Sequence, residues 1–178
     1  MRIRQLKEEF PWTKKGPRTG LHLSDVIHAL DGAMQDSAMR EIDEDTRMQF
    51  EKGWLWEEAL SMAFAHKQEH LMHPKPQVVD EIWGSPDGIC YADGITVIEE
   101  YKCTSMSPNK SPADMWRWIM QTKGYCYMYC AFKCVFRVMH TTFVPTYRVW
   151  ELTFTQPELE ENWAAILNQK AVMEGEGA

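Results

Sequence analysis

Asp87, Glu100 and Lys102 are the residues on which chemistry could turn. They stand in "GSPDGICYADGITVIEEYKCTS", residues 84–105, where one acid follows a proline and two adjacent acids come just before a lysine. Metal-assisted hydrolysis of a phosphodiester needs carboxylates to hold a hard divalent cation and an activated water. It also needs a positive group to orient that water or to offset charge in the transition state. Two acids on neighbouring strands, with a lysine two residues after one of them on the same face, supply those parts. The same residue types on a solvated strand would be an ordinary surface ion pair, so the surrounding elements have to decide.

The stretch reads as a hairpin. "GICYA" and "ITVIEEYKC" are β-rich runs separated by Asp93-Gly94, a pair favoured in tight turns. Side chains alternate faces along a strand, so Glu100 and Lys102 share one face, while Glu99, Tyr101 and Cys103 share the other. A register slip by one would exchange Glu99 for Glu100, but only Glu100 shares a face with Lys102. Asp87, at the entry of the first strand, folds back toward the second across the turn.

Around the hairpin, Ser24 precedes "DVIHALDGA" and reads as an N-cap for a short helix over about 25–31. Apolar residues recur at helical spacing from Glu44 to about His70, the longest helix, which Pro74 and Pro76 end. "QVVDEIWG" reads as one strand, and "SPADMWRWIMQTKGYCYMYCAF" as a helix after Ser111, despite Gly124. Two strands around Pro145 and a helix over 157–172 close the chain. The order predicts an α/β (α+β) core with a central mixed sheet flanked by helices. A basic arm over 1–20 precedes a single domain over 21–172, with a flexible tail over 173–178.

At 178 residues, 44% hydrophobic and 12% aromatic, the chain has enough apolar material for one buried core, which argues against disorder. No signal-peptide pattern and no apolar run of the ~20 residues that span a bilayer is present, so a cytoplasmic protein without membrane contact is expected. Five cysteines, an odd number, fit reduced thiols better than a disulfide framework. The net charge of −7 argues against a protein that coats nucleic acid, though not against a nucleic-acid enzyme. Residues 1–20 carry six basic against two acidic residues, an arm able to grip a polyanion or simply solvated.

"SPDG", hairpin, "EEYK" resembles the PD-(D/E)xK nuclease superfamily, with Pro86-Asp87 and Glu100-Tyr101-Lys102 in the name-giving positions. "QTKGY" places Gln121 and Tyr125 four apart on one helix face, similar to the QxxxY signature of the RecB-type branch. "GWLWEEA" places Gly53 four before Glu57, similar to the GxxxE helix of lambda-exonuclease and YqaJ-type viral recombination nucleases. Together these cover about 70 residues in the family's order.

The resemblance implies a restriction-endonuclease-like core. It implies that Glu57, Asp87, Glu100 and the backbone carbonyl of Tyr101 hold one or two Mg²⁺ or Mn²⁺ ions, with Glu58 as the alternative to Glu57. Lys102 would position and help deprotonate the attacking water, Gln121 would orient the lysine or a phosphate, and Tyr125 would support it. Arg18, Ser24 and Ser85 stand where the lambda-exonuclease type has a pocket for a terminal 5′ phosphate. Ser24 as a helix cap and Ser85 as a turn residue are the plain alternatives.

The implied activity is a Mg²⁺-dependent deoxyribonuclease, an exonuclease resecting duplex DNA ends 5′→3′ in phage recombination, acting in the host cytoplasm. A homo-oligomer and a single-strand annealing protein are the implied partners. The alternatives are a structure-specific or single-strand endonuclease on the same fold, or an inactive DNA-binding module. Cys126, Cys130 and Cys134 read as small apolar residues on a helix face, and with no cysteine before Cys90 no iron-sulfur cluster is expected. His66, His70 and His73 lack partners to complete a zinc site and read as structural. Trp54, Trp56, Trp116 and Trp118 read as core or oligomer contacts, with base stacking the other role open to them.

Overall fold

The computed structural model describes residues 19–30, 44–65 and 74–175. Most of the basic arm, Arg18 included, lies outside the described residues, as do His66, His70 and His73 and the end of the tail.

Two sheets organise the described residues. The smaller joins β1 (Leu21–His22), β3 (Ile82–Gly84) and β2 (Gln77–Val79) in that order, with β1 parallel and β2 antiparallel to β3. The larger has the order β4 (Gly88–Ala92), β5 (Ile95–Thr104), β6 (Lys133–His140), β7 (Thr146–Thr153). β4 and β5 form the expected antiparallel hairpin, and Asp93 and Gly94 both take the positive φ that its turn requires, 53° and 76°. β5 and β6 run parallel, which demands a crossover. The helix α3 (Trp116–Met128) lies in that connection.

The central strands are covered on both faces. α2 (Glu44–Ala65) lies against the Tyr101 side, where Phe64 stacks on Tyr101 with ring centroids 6.5 Å apart. On the other side, the inward residues Cys134, Phe136, Val138 and His140 of β6 are buried, and Trp118 of α3 stacks on Phe136 at 6.2 Å. α1 (Leu23–Leu30) and α4 (Gln156–Gly175) pack on α3 to complete that layer. Gly124 is the crossing point, because a Cβ there would come within 2.7 Å of Leu23. That contact explains a glycine in mid-helix.

The mixed α/β architecture is the one expected, while four local expectations change. "QVVDEIWG" is not one strand: Asp80 and Glu81 adopt φ of 49° and 65° and turn the chain between β2 and β3. The turn is held on α4, where Trp163 Nε1 donates to Asp80 Oδ2 at 2.8 Å and Lys170 Nζ donates to the Asp80 carbonyl at 2.9 Å. The helix after Ser111 begins as a 3-10 turn over Pro112–Asp114, with the Ser111 N–H donating to Asp114 Oδ2 at 2.8 Å, and α3 proper starts at Trp116. α3 also ends at Met128, so only Cys126 is helical, Cys130 takes a left-handed turn at φ 51°, and Cys134 is on β6. Finally, α1 starts at Leu23, so Ser24 is inside the first turn. The cap comes instead from Asp25, whose Oδ2 accepts the His22 N–H at 3.2 Å.

Among the described residues no helix is long and apolar enough to cross a membrane. All five cysteines are free.

Candidate active site

The β4–β5 register sets the site. Gly88 pairs with Glu99, so the next step of the same register brings Asp87 beside Glu100. There Asp87 Oδ2 accepts the Tyr101 N–H at 2.6 Å. β4 has no residue paired beyond Glu99, and the carboxylate of Asp87 takes up an edge of β5 that the ladder has left. The N–H and C=O of a strand residue point to the same edge, so the Tyr101 carbonyl also faces that gap.

Glu100 is buried, 1% exposed. Its Oε2 accepts from Lys102 Nζ at 2.6 Å, and its Oε1 has no hydrogen-bond partner. Burial pushes its carboxyl up to about 7; the Lys102 charge works against this, and the charges of Asp87 and Glu57 add to it. Burial opposes the charge on Lys102, yet the carboxylates of Glu100 and Asp87 outweigh it and hold the ammonium above its usual range. Glu57 therefore stands close enough to Glu100 for its charge to be felt. It is half-buried on α2, whereas Glu58 is exposed. One turn before Glu57, Gly53 has open space where a side chain would stand.

Glu99 faces the other way. Its carboxylate accepts two bonds from Arg137 of β6, Nε at 2.6 Å and Nη2 at 3.0 Å, and the guanidinium lies 4.2 Å from the centre of the Phe64 ring. Both partners are largely buried. The pleat thus separates the two adjacent acids into different environments.

The backbone around these residues has known counterparts. The chain is similar to the crystal structure of an alkaline exonuclease, LHK-Exo, from Laribacter hongkongensis. The two are 15% identical with a TM-score of 0.60, over 88% of this chain and 89% of that one. LHK-Exo in complex with dAMP gives the same TM-score and coverage at 14% identity. The fold is the one seen in that alkaline exonuclease. The crystal structure of SSO0001 is also similar, at 14% identity and a TM-score of 0.51 over 86% of this chain and 78% of that one. No protein-family model matches the chain, and no curated protein matches it.

The remaining candidate residues fall in three places. Gln121 and Tyr125 form a pair on α3, with Gln121 Nε2 donating to the Tyr125 hydroxyl at 3.0 Å. The Tyr125 ring lies against Gly84, just ahead of the loop that carries Asp87. Ser24 lines a cavity between α1 and α3 together with Gln121. Ser85 stands in the β3–β4 loop, its hydroxyl 3.5 Å from the carbonyls of Pro74 and Pro86. The structure therefore brings Glu57, Asp87, Glu100 and Lys102 into one electrostatic cluster and places the two serines in different surroundings.

Glu57, Asp87 and Glu100 are hard oxygen donors, the type that suits Mg²⁺ or Mn²⁺. Among the described residues, however, no three His, Cys, Asp or Glu side chains are gathered closely enough to hold a cation as they stand. Two of the oxygens are engaged, Glu100 Oε2 on Lys102 and Asp87 Oδ2 on the Tyr101 N–H. The observation that fits a cation is Glu100 Oε1, a buried carboxylate oxygen with no partner beside two further negative charges.

Sequence reasoning missed Arg137. The signal was there, since an arginine within the apolar run "CVFRVMH" must find a buried anion, and Glu99 was the acid left over.

Proposed function

We propose that this chain is a divalent-metal-dependent deoxyribonuclease, an exonuclease that resects duplex DNA ends 5′→3′. The single observation that carries the reading is Glu100. It is buried on a nuclease fold with Oε1 unpartnered and its carboxyl pushed up to about 7, next to Lys102, Asp87 and Glu57. A strand that needed only a salt bridge has no reason to crowd three carboxylates, because each raises the cost of ionising the others.

In this reading Glu57, Asp87, Glu100 and the Tyr101 carbonyl hold Mg²⁺ or Mn²⁺. When bound, such an ion supplies an acidified water and offsets charge on the phosphate. Lys102 holds its proton as long as Glu100 Oε2 remains on it. Movement of Glu100 away weakens that hold, and burial then favours the neutral amine, so the lysine can orient the attacking water and share its proton. Gln121, steadied by Tyr125, positions the lysine or a phosphate oxygen. Ser24, with Arg18 and Ser85, contributes to recognition of a terminal 5′ phosphate. Action in phage recombination, in the host cytoplasm, as a homo-oligomer or with a single-strand annealing protein, extends the same reading.

The test is cleavage of linear and circular DNA with Mg²⁺ by the wild type, Asp87→Ala and Lys102→Ala. Degradation of the linear form alone, lost in both variants and in chelator, is expected. Unchanged activity in both variants would sink the assignment of the site, and cleavage of the circle would sink the exonuclease reading.

A further inference from the structure

Just past the end of α3, a second tyrosine reaches the loop that carries Asp87. Tyr129 caps the helix, its N–H donating to the Tyr125 carbonyl at 3.0 Å. Its hydroxyl crosses to the smaller sheet, 2.9 Å from the carbonyl of Lys75 and 3.3 Å from that of Gly84, so its one proton serves the two in turn. Only a glycine lets the helix come this near, because a Cβ on Gly84 would stand 2.5 Å from Met128 Sδ and 3.2 Å from the Tyr125 ring.

The β2–β3 ladder ends at this point. Its last pair is Gln77 with Gly84, and the positions beyond it include Pro76 and Pro86, which have no N–H to donate. The chain must nevertheless pass from β3 to β4 in three residues, Ser85, Pro86 and Asp87, because Gly88 is already paired with Glu99. Asp87 therefore stands between two fixed points. One is Gly88 in the β4–β5 ladder. The other is Gly84, held by its ladder partner, by the packing of Tyr125 and Met128, and by the Tyr129 hydroxyl. Ser85 adds little, since its hydroxyl is 3.5 Å from the Pro74 carbonyl. A connection this short, stiffened by a proline, passes a shift at Gly84 on to Asp87 instead of absorbing it.

Resting on the reading of Asp87 as a metal ligand, we propose that Tyr129 is a positioning residue for the cleavage site: its hydroxyl clips the Lys75 and Gly84 carbonyls and so sets where the Asp87 carboxylate stands. Groups that orient a ligand without touching the ion typically govern affinity by about ten-fold or more.

The test compares the full chain with Tyr129→Phe and with Tyr127→Phe, whose ring stacks on Trp163 at 4.8 Å. Calorimetric titration of Mn²⁺ should show binding roughly ten-fold weaker in Tyr129→Phe and unchanged in Tyr127→Phe. Without metal, the amides of residues 85–88 should exchange with deuterium roughly five-fold faster in Tyr129→Phe, while those of α1 keep their rate. Cleavage of linear DNA should slow at low Mn²⁺ and recover at saturating Mn²⁺, a loss of metal affinity with the maximal rate kept. A purely structural role predicts a lower thermal midpoint with Mn²⁺ affinity and exchange over 85–88 unchanged, and that result overturns the proposal, as does an equal effect of Tyr127→Phe. Pro86→Gly, which loosens the connection and leaves Tyr129 intact, should also weaken Mn²⁺ binding; unchanged affinity there overturns the proposal even if Tyr129→Phe does not fold. A wild type that binds Mn²⁺ and cleaves, with Tyr129→Phe of equal affinity, overturns the clip alone. A wild type that neither binds Mn²⁺ nor cleaves overturns the nuclease reading and the clip with it.

Discussion

Two acid–base pairs sit on opposite faces of β5, one residue apart, and they are built differently. Glu99 and Arg137 form a closed pair: both carboxylate oxygens accept from the guanidinium, which also lies over Phe64. Glu100 and Lys102 form an open pair: one oxygen is engaged, the other has no partner, and the charges of Asp87 and Glu57 press on it. The closed pair satisfies itself, as a buried ion pair must if it is to be tolerated. The open pair is left with unmet demand, which a cation and a phosphate would meet.

The widest separation between the pairs should be in catalysis. Lys102→Ala should lower the rate of DNA cleavage by at least about 10³-fold, measured under single-turnover conditions with Mg²⁺. Replacing the closed pair as a unit, Glu99→Leu with Arg137→Met, should leave the same rate within a few-fold, because neither residue faces the cluster. An equal loss in both would break the distinction.

Stability should respond in the opposite sense. Arg137→Ala leaves Glu99, 3% exposed, as a buried charge without its partner. It should cost about 3–5 kcal/mol in denaturant unfolding, whereas the double replacement should be close to neutral.

The open pair should also show itself in pH dependence. Burial pushes the folded Glu100 carboxyl up to about 7 from an ordinary 4.5, so the folded state binds its proton more tightly than the unfolded chain does. Its contribution to stability is complete below about 4.5 and is lost as pH rises through about 7. Thermal unfolding without divalent cation should accordingly fall over that window. Added Mn²⁺ should raise the midpoint more at pH 8 than at pH 5, since proton and cation compete for the same oxygens. A midpoint that rises between pH 5 and pH 8 and ignores Mn²⁺ would place the open pair in the same class as the closed one.

The smallest effect concerns the helix side. Tyr125→Phe removes the acceptor for Gln121 and should cost about 0.5–1.5 kcal/mol in stability, with cleavage slowed only a few-fold.

What the amino-acid order revealed follows the same division. The hairpin was legible because Asp93-Gly94 is turn chemistry and period-two alternation separates Glu99 from Glu100 on any strand. The choice between Glu57 and Glu58 was not legible. Neighbours on a helix differ by about 100° in direction, and only the seating of α2 on the sheet turns Glu57 inward. The turn at Asp80-Glu81 escaped because Asp tolerates positive φ but Glu81 gives no such signal and no glycine marks the place, while Trp163 and Lys170, some 80 to 90 positions away, hold it. Ser24 misled because two capping residues compete, and Asp25 reaches back to His22. In each case a long-range contact or a competing local bond overrode a sound local rule.

The most direct test of the account is calorimetric titration of Mn²⁺ into three proteins: the wild type, Glu100→Gln and Glu99→Gln. The wild type and Glu99→Gln should bind the ion alike, and Glu100→Gln should not. Binding retained in Glu100→Gln, or lost in Glu99→Gln, would contradict it.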